Sequence, residues 1–362
     1  MSVKSYDNLL VGVDLGTSAI KIINPLNEEK VRILSCVGEL PESKSFVSLG
    51  LRRGTLSNLA YYSADRSFLL GDGAQTHSPA PRWFMYRGFA SQEDLDYAVD
   101  AIKASIAALT PFERKREHID VKLLVGVPAV FDPKYEREIQ TKLLKEEHHF
   151  TLENYMTGQR KQVSLSVNDL RIVAQSLGTL VSHCIRNKDE SYSGTVLDVG
   201  FGLTNVCAIE DLGVLRYASA TVPRAVGDIA LHIRESLLRR GGGADIPGVF
   251  ALGELLKEDE PTLQSRSLGT VNLKEEREKA SLFVGQELWR EAGFYIDKVL
   301  WRAAGSKLLI TGGGGSENFV GRYLKSAYSR LNPSLGDIFN NADGLMFVAK
   351  DIWGEAARKA EG

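Results

Sequence analysis

The strongest constraint on the fold is a strand–turn–strand unit that occurs twice in the chain. Leu9 to Ile23 reads LLVGVDLGTSAIKII: an apolar strand, a turn of small residues and a second apolar strand. Thr195 to Ile209 reads TVLDVGFGLTNVCAI and repeats the pattern, so that Asp14 and Asp198 hold equivalent positions. The two aspartates lie 184 residues apart, about half of the 362-residue chain. The repeat therefore predicts two lobes, each opening with an aspartate-bearing hairpin.

The segments around the two hairpins alternate between strand and helix patterns. Apolar runs predict strands at 121–127, 170–174 and 307–310. Apolar residues at helical spacing predict helices at 95–109, 134–147, 176–185, 227–240 and 273–304. Such alternation is typical of an α/β fold.

The length of the chain suggests two domains. We place lobe I at 1–174 plus 345–362, with an irregular insertion at about 36–94 that is rich in Gly and Pro turns. Lobe II covers 175–344, with a second insertion at about 235–275.

Composition limits the partners and the compartment. Lys and Arg number 44 against 46 Asp and Glu, so the chain lacks the basic field that drives direct nucleic-acid binding. Its three cysteines are scattered and indicate a reducing compartment rather than a disulfide framework. No signal peptide, transmembrane run or amphipathic membrane anchor is evident in the sequence. We therefore expect a cytoplasmic protein that binds neither nucleic acid nor membrane directly.

The turns of the two hairpins have the chemistry of a phosphate site. Small residues between strands expose consecutive backbone N–H groups, and such nests bind phosphate oxygens. The first turn and its return strand contribute Gly16, Thr17, Ser18 and Lys21, whose ammonium can reach a bound phosphate. The second contributes Gly200, Phe201, Gly202 and Thr204.

An aspartate precedes each turn, and a carboxylate repels phosphate. Asp14 and Asp198 are better suited to hold a hydrated Mg²⁺, which bridges carboxylates and phosphates while keeping several waters. A glycine run, Gly312 to Gly315, follows the strand at 307–310 and would let the backbone approach a flat base or ribose closely. Two nests, each with an aspartate, predict a phosphate-and-magnesium clamp between the lobes.

These motifs resemble those of the actin, heat-shock chaperone and sugar-kinase ATPases. VGVDLGTSAIK is similar to the first phosphate motif of that superfamily, VLDVGFGLTNV to the second and LLITGGGGSENFVGRYL to the adenosine motif. DGLMFVAKDIWGEA resembles the second connecting helix, and FLLGDGA resembles a strand and turn of prokaryotic actin-like proteins. The resemblance implies an actin-like (ribonuclease H-like) α/β fold, two-lobed, with a nucleotide cleft between the lobes.

The same resemblance implies roles for further residues. Gln175 lies where the strand LRIVA meets a helix, and similar proteins place a Gln or Glu there to orient the attacking water. Without the motif order, the sequence favours a polar residue at a helix start as the role of Gln175. Gly312, Gly313, Gly314 and Asn318 fall in the adenosine motif. Glu254 and Lys257 fall where actins contact base and ribose, or form a surface pair at i, i+3.

The resemblance is greatest to ParM-type plasmid-segregation proteins and their archaeal relatives. It implies an ATPase that uses ATP (or GTP) and Mg²⁺, with Asp14, Asp198 and Gln175 at the catalytic centre. It also implies a head-to-tail filament, with a DNA-binding adaptor supplying the link to a plasmid. Two alternatives remain open: a cytoskeletal scaffold filament without a segregation role, and a small-molecule kinase of the same fold. A cell-division or pilus-assembly adaptor shares the first motif and also remains open.

Overall fold

A computed structural model of the protein describes residues 4–41, 58–113, 115–144, 147–300 and 307–360. The described residues separate into two compact units. Unit 1 comprises Met1–Val127, Phe131–Ser182 and Asn341–Gly362, and unit 2 comprises Pro128–Val130 and His183–Asn340.

The strands are numbered in chain order. Those of unit 1 are β1 (Lys4–Leu15), β2 (Ala19–Ile23), β3 (Lys30–Leu34), β4 (Cys36–Gly38), β5 (Asn58–Tyr62), β6 (Ser67–Gly71), β7 (Arg82–Trp83), β8 (Arg116–Val127), β9 (His148–Asn154) and β10 (Gln159–Ala174). Those of unit 2 are β11 (Gly194–Val199), β12 (Thr204–Glu210), β13 (Gly213–Val214), β14 (Ala220–Val222), β15 (Thr262–Ser265), β16 (Gly269–Asn272), β17 (Lys307–Thr311) and β18 (Ser334–Leu335).

The helices are α1 (Asp72–His77), α2 (Gln92–Ala108), α3 (Pro133–Leu144), α4 (Gln175–Asn187), α5 (Val226–Arg239), α6 (Val249–Leu255), α7 (Lys274–Leu300), α8 (Gly321–Ala327) and α9 (Asn340–Ala360). Short 3₁₀ turns occur at 216–218 and 329–331. In the part of the chain that the structure describes, no helix is both long enough and apolar enough to cross a bilayer.

A ten-stranded sheet forms the centre of unit 1, in the order β3-β2-β1-β8-β10-β9-β5-β6-β4-β7. Its middle strands β1, β8 and β10 run parallel, and β2 returns antiparallel beside β1. The apolar sequences of β1 and β8 are buried between covering layers, as parallel strands require. Because the three strands are parallel, their carboxyl ends meet at one edge of the sheet, where open α/β sheets bind ligands.

Residues 36–94, which the sequence predicts to be irregular, contain regular secondary structure. Four strands (β4 to β7) and α1 form in this segment, and β5 joins the sheet by pairing with β9. The strand predicted from FLLGDGA is confirmed as β6, followed by α1. Residues 42–57 of the predicted insertion lie outside the described residues.

Unit 2 is built on a second sheet, in the order β13-β12-β11-β17-β18, with β14 also paired to β12. β11 and β12 form the antiparallel hairpin that the repeat predicts, and β17 lies parallel to β11. A separate two-stranded sheet of β15 and β16 falls inside the second predicted insertion. The predicted helix at 227–240 is confirmed as α5, and that at 273–304 as α7 up to residue 300.

Close contact between α4 and α9 places the first half of α4 in unit 1. A Cβ on Gly344 would lie 1.7 Å from the carbonyl oxygen of Gly178, and a Cβ on Gly178 would lie 2.2 Å from that of Asn341. The Thr179 hydroxyl donates to the Asn341 side chain at 2.7 Å. The compact units therefore divide within α4 at residue 182, eight residues after the boundary drawn from the sequence.

We predict that Gly344→Ala destabilises the protein by about 3 kcal/mol, because the added methyl group must push two helix backbones apart. Gly354→Ala is the matched control, since it lies on the same helix and a Cβ there meets nothing within 4 Å. Helix propensity makes the control neutral or slightly stabilising. Urea unfolding of both variants measures the difference, and equal midpoints would contradict the close crossing.

Candidate functional site

Asp14 and Gln175, both predicted to be catalytic residues, lie at the same edge of the unit 1 sheet. Asp14 on β1 pairs with Gly126 on β8, and Ala174 at the end of β10 pairs with Val127. Gln175 follows directly as the first residue of α4. One strand, β8, separates β1 from β10, so Asp14 and Val173, which both pair with Gly126, lie about 10 Å apart across the sheet, and Gln175 follows Val173 by two residues. The two side chains therefore belong to the same edge of one sheet.

Asp14 is a buried carboxylate with one oxygen paired and one unpaired. Its side chain is 1% exposed, and its Oδ2 accepts a hydrogen bond from the Lys21 ammonium at 2.8 Å. Its Oδ1 has no hydrogen-bond partner among the described residues. A buried carboxylate oxygen without a partner is costly unless a cation or donor satisfies it. Asp14 and Lys21, both predicted from the first hairpin, therefore form one preassembled ion pair.

The surroundings of Asp14 fit the Mg²⁺ that the sequence predicts. Within the described residues, no three or more His, Cys, Asp or Glu side chains are grouped to hold a metal. Mg²⁺ differs from zinc in this respect, since it is commonly held by one or two carboxylates together with waters and substrate phosphates. The unpaired Oδ1 of Asp14 is the atom in unit 1 that would hold it. Bound there with a nucleotide, Mg²⁺ would neutralise phosphate charge.

Gly126, a residue not predicted from the sequence, shapes the space beside Gln175. A Cβ on Gly126 would lie 3.0 Å from the Cα of Gln175 and 2.6 Å from Leu345 Cδ1. The absence of a side chain lets α4 begin tight against the end of β8, with Gln175 only 6% exposed. The sequence signal for this residue is a single glycine between two valines just before Pro128.

The two predicted turns close with the same hydrogen bond. The Gly16 amide donates to the Ala19 carbonyl at 3.2 Å, and the Gly200 amide donates to the Leu203 carbonyl at 2.9 Å. The repeat seen in the sequence is thus a repeat in structure. Each turn glycine already donates within its hairpin, so Gly16 and Gly200 set the shape of the turns more than they supply donors to a phosphate.

In unit 2, Asp198 lies beside the glycine run. It pairs with Thr311 across the parallel strands β11 and β17, and Gly312 follows at the end of β17. Gly312 has a φ of +83°, and a Cβ there would lie 2.5 Å from the Oδ1 of Asp198. Only glycine fits this close approach in the left-handed region. The sheet edge of unit 2 therefore brings together Asp198 and the predicted adenosine motif.

The glycines of the run differ in what surrounds them. A Cβ on Gly314 would lie 2.5 Å from Val199 Cγ1, and one on Gly315 would lie 2.3 Å from the Thr311 carbonyl oxygen. A Cβ on Gly313, in contrast, would meet only Ile338 Cγ2, at 3.9 Å. Packing within unit 2 therefore explains the other glycines of the run, and Gly313 is the one with open space beside it.

The second turn is fixed to the start of α5. The amides of Val226 and Gly227 donate to the carbonyls of Gly200 and Phe201 at 3.2 and 2.7 Å. Thr204 is fully buried, and its hydroxyl donates to the Arg224 carbonyl at 2.6 Å. Thr204, which the sequence predicts to contact the nucleotide, thus makes a hydrogen bond that holds the segment before α5 in place.

Phe201 is packed into unit 2. It is 4% exposed and stacks on Phe250 of α6, with ring centroids 4.5 Å apart. A Cβ on Gly253 would lie 2.4 Å from the Phe201 ring, so the glycine provides the space that the ring fills. The large residue in the second turn is therefore a buried anchor between the turn and α6.

Glu254, Lys257 and Asn318 lie on the surface of unit 2. Lys257 Nζ and Glu254 Oε1 are 2.6 Å apart, so the i, i+3 pair that the sequence left as an alternative is present. Asn318 is exposed, and its side-chain amide lies 3.4 Å from Asp259. Their roles in contacting a base or ribose stay predictions.

Comparison with known proteins supports the architecture. Residues 12–178 match the family described as "Actin like proteins N terminal domain", a range that contains Asp14, Lys21 and Gln175. Among proteins of curated function, none matches the sequence significantly.

Solved structures match nearly the whole chain. ParM of Bacillus thuringiensis, solved with ATP, is 15% identical, with a TM-score of 0.68 over 95% of this chain and 98% of that one. A 15-stranded ParM filament from Clostridium botulinum is also 15% identical, with a TM-score of 0.69 over 96% and 100%. Ta0583, an archaeal actin homolog solved with ADP, is 17% identical, with a TM-score of 0.66 over 94% and 99%.

The chain therefore has the actin-like fold, as predicted. More particularly, its structure resembles the ParM proteins and the archaeal actin homolog, at low sequence identity.

Proposed function

We propose that this protein is an actin-like ATPase that polymerises in an ATP-dependent manner. Both half-sites contribute to nucleotide binding: Asp14, Lys21 and Gln175 in unit 1, and the second turn, Asp198 and the glycine run in unit 2. The observation that carries the proposal is the buried Asp14, with one oxygen unpaired, at the sheet edge where Gln175 begins α4. An unpaired buried carboxylate beside a glutamine indicates a cation and a positioned water.

Polymerisation is supported by the relatives. The chain spans almost the full length of a ParM that was solved as a filament and of a ParM solved with ATP. Head-to-tail contacts between identical subunits generate an open helical polymer without any further partner. ATP binding would favour the subunit contacts, and hydrolysis at Gln175 would weaken them.

Light scattering of the purified protein tests the proposal. We expect scattering to rise on adding ATP and Mg²⁺, to fall as phosphate is released, and to persist with a non-hydrolysable ATP analogue. Electron microscopy of the same samples separates filaments from amorphous aggregates. ATP turnover without any rise in scattering would favour a small-molecule kinase and contradict polymerisation.

We further propose plasmid DNA segregation in the cytoplasm as the purpose of the filament. A net charge of −2 gives the chain no general attraction for DNA, so a separate basic DNA-binding adaptor would connect filament and plasmid. Loss of a plasmid on deletion of the gene that encodes this chain tests this step. Stable inheritance after deletion would favour a scaffold filament.

The surroundings of Gly313 predict a selective loss of nucleotide affinity. Gly313→Val is expected to fold normally, because the new side chain enters open space, yet to bind ATP at least tenfold more weakly by occupying the ligand's position. Gly314→Ala has the opposite pattern, since its methyl group meets Val199 and Val226 within 2.6 Å and lowers stability. Fluorescent-nucleotide titration and thermal unfolding separate the two effects. Unchanged affinity in a folded Gly313→Val protein would remove Gly313 from the site.

A further inference from the structure

Unit 2 exposes two phenylalanines on one side of its longest described helix. Phe283 and Phe294 of α7 are 52% and 61% exposed. Glu287 and Arg290 lie between them and pair with each other at 2.9 Å. We call these four residues the α7 stripe. Two exposed aromatic rings on one side of a helix, with an ion pair between them, are available for contact with a second molecule.

The spacing of the α7 stripe is that of a helix–helix contact. Its members follow one another at intervals of four, three and four residues, which keeps them on one side of the helix. Ser281, Val284, Leu288, Ala292 and Ile296 of α7 are buried against unit 2. The stripe lies on another side of the helix, outside this packed face, and can contact a second molecule.

The stripe is complementary to a copy of itself. Its order, aromatic–acid–base–aromatic, is symmetric about the midpoint between residues 288 and 289. If two copies of α7 pair antiparallel about that point, Phe283 faces Phe294 of the second copy, and Glu287 faces its Arg290. Aromatic rings then meet aromatic rings and opposite charges meet, which are favourable contacts of an isologous interface.

A groove borders the α7 stripe beside Phe283. It has a volume of about 180 Å³ and is lined by apolar and aromatic residues of α5 and α7 together with four charged residues: Leu231, His232, Phe283 and Val284, and Arg224, Asp228, Glu235 and Glu287. His232 stacks on Phe283, with ring centroids 5.6 Å apart.

We propose that the α7 stripe is a two-fold contact between copies of this chain, which joins the strands of the polymer side by side. The inference rests on the proposed function, because one helix pair buries too little surface to hold two isolated molecules tightly. Between two strands of the polymer the contact recurs at every subunit. Because many weak contacts then act together, they are sufficient to hold the two polymer strands side by side. The predicted occupant is thus a second copy, antiparallel along α7.

Disulfide cross-linking tests the proposed register. In the double variant Phe283→Cys/Phe294→Cys, oxidation is expected to give a covalent dimer, because each new thiol faces the other one in the second copy. Within one chain the two positions lie about 16 Å apart along the helix, too far for an internal disulfide. The three native cysteines are buried, so the new thiols are the accessible ones.

Matched controls make the test specific. Each single cysteine variant is expected to give little dimer, because the two-fold places identical positions about 16 Å apart. Leu282→Cys/Trp289→Cys is expected to behave likewise, since these residues are similarly exposed (49% and 45%) but lie on another side of α7. Dimer from either control at the level of the double variant, or no dimer from the double variant, would overturn the proposal.

Charge reversal gives an independent readout on the chain with native phenylalanines. Arg290→Glu is expected to weaken lateral association by about tenfold, by placing acid against acid. Adding Glu287→Arg to that variant is expected to restore association, because the arginine at position 287 of one copy then faces the glutamate at position 290 of the other. Bundle formation seen by electron microscopy is the measurement, and a double variant no better than the single one would count against the contact.

Failure of this inference is distinguishable from failure of the proposed function. Sedimentation with Mg²⁺ and ATP tests polymerisation, and cross-linking of the double cysteine variant under the same conditions tests the stripe. ATP-dependent polymers in which positions 283 and 294 of two copies do not cross-link would reject the stripe alone. A cross-linked dimer that never polymerises would reject the proposed function alone.

Discussion

Replacing Asp14 with Ala is expected to lower Mg²⁺-dependent ATP turnover by about 100-fold or more. Asp14 is buried, its Oδ2 is held by Lys21, and its Oδ1 has no partner among the described residues. Without the carboxylate, the site loses the atom proposed to hold Mg²⁺ and leaves the Lys21 ammonium without its acid. Initial rates of phosphate release measured across a range of Mg²⁺ concentrations test the expectation.

Stability must be separated from catalysis in this variant, because removal of one partner leaves a partly buried charge uncompensated. Asp14→Asn keeps the shape of the side chain and removes only its charge, so it should fold better than Asp14→Ala and remain as inactive. Asp14→Asn/Lys21→Met also removes the orphaned ammonium. A wild-type rate in any of the three folded variants would refute the role of Asp14.

Gln175→Ala is expected to slow ATP turnover by about 10- to 100-fold while nucleotide affinity changes less than threefold. An amide side chain can accept a hydrogen bond from water and donate one to phosphate, so its contribution is orientation of the attacking water. In a polymerising protein the same variant should give longer-lived filaments, because hydrolysis is delayed. Phosphate release and nucleotide titration on one preparation provide both quantities.

The neighbouring Ser176→Ala variant controls for disturbance of the start of α4, since Ser176 is also buried there. It should leave turnover near the wild-type value. If Gln175→Ala hydrolysed ATP at the wild-type rate, Gln175 would be a structural residue at the helix start, which is the alternative role that the sequence allows.

Prediction of the fold succeeded where the pattern was local. The hairpins around Asp14 and Asp198 combine apolar strands with turns of small residues, and both formed where expected. β9 and the first part of β10 were missed because residues 148–166 are rich in polar and charged types. In the structure they alternate between a buried and an exposed face, so the apolar run that signalled the other strands is absent.

The candidate site shows the same limit. The sequence identified Asp14, Lys21 and Gln175 through motif order, and the structure places all three in unit 1, at or beside one sheet edge. The sequence did not reveal the role of Gly126. That role, to leave space for the start of α4, depends on contacts with Gln175 and Leu345, which are far from Gly126 in the sequence. The sequence also could not show that packing requires most of the glycines between Gly312 and Gly315. For Gly314, this packing is against Val199 and Val226.

The packing of Phe201 on α6 ties two distant positions into one shared volume. The ring occupies the space that a side chain at position 253 would otherwise take, so neither residue can change size alone. In related chains, a small residue at the position of Phe201 should coincide with a larger one at the position of Gly253. Paired substitutions at these two positions would preserve the shape of the second turn although its sequence changes.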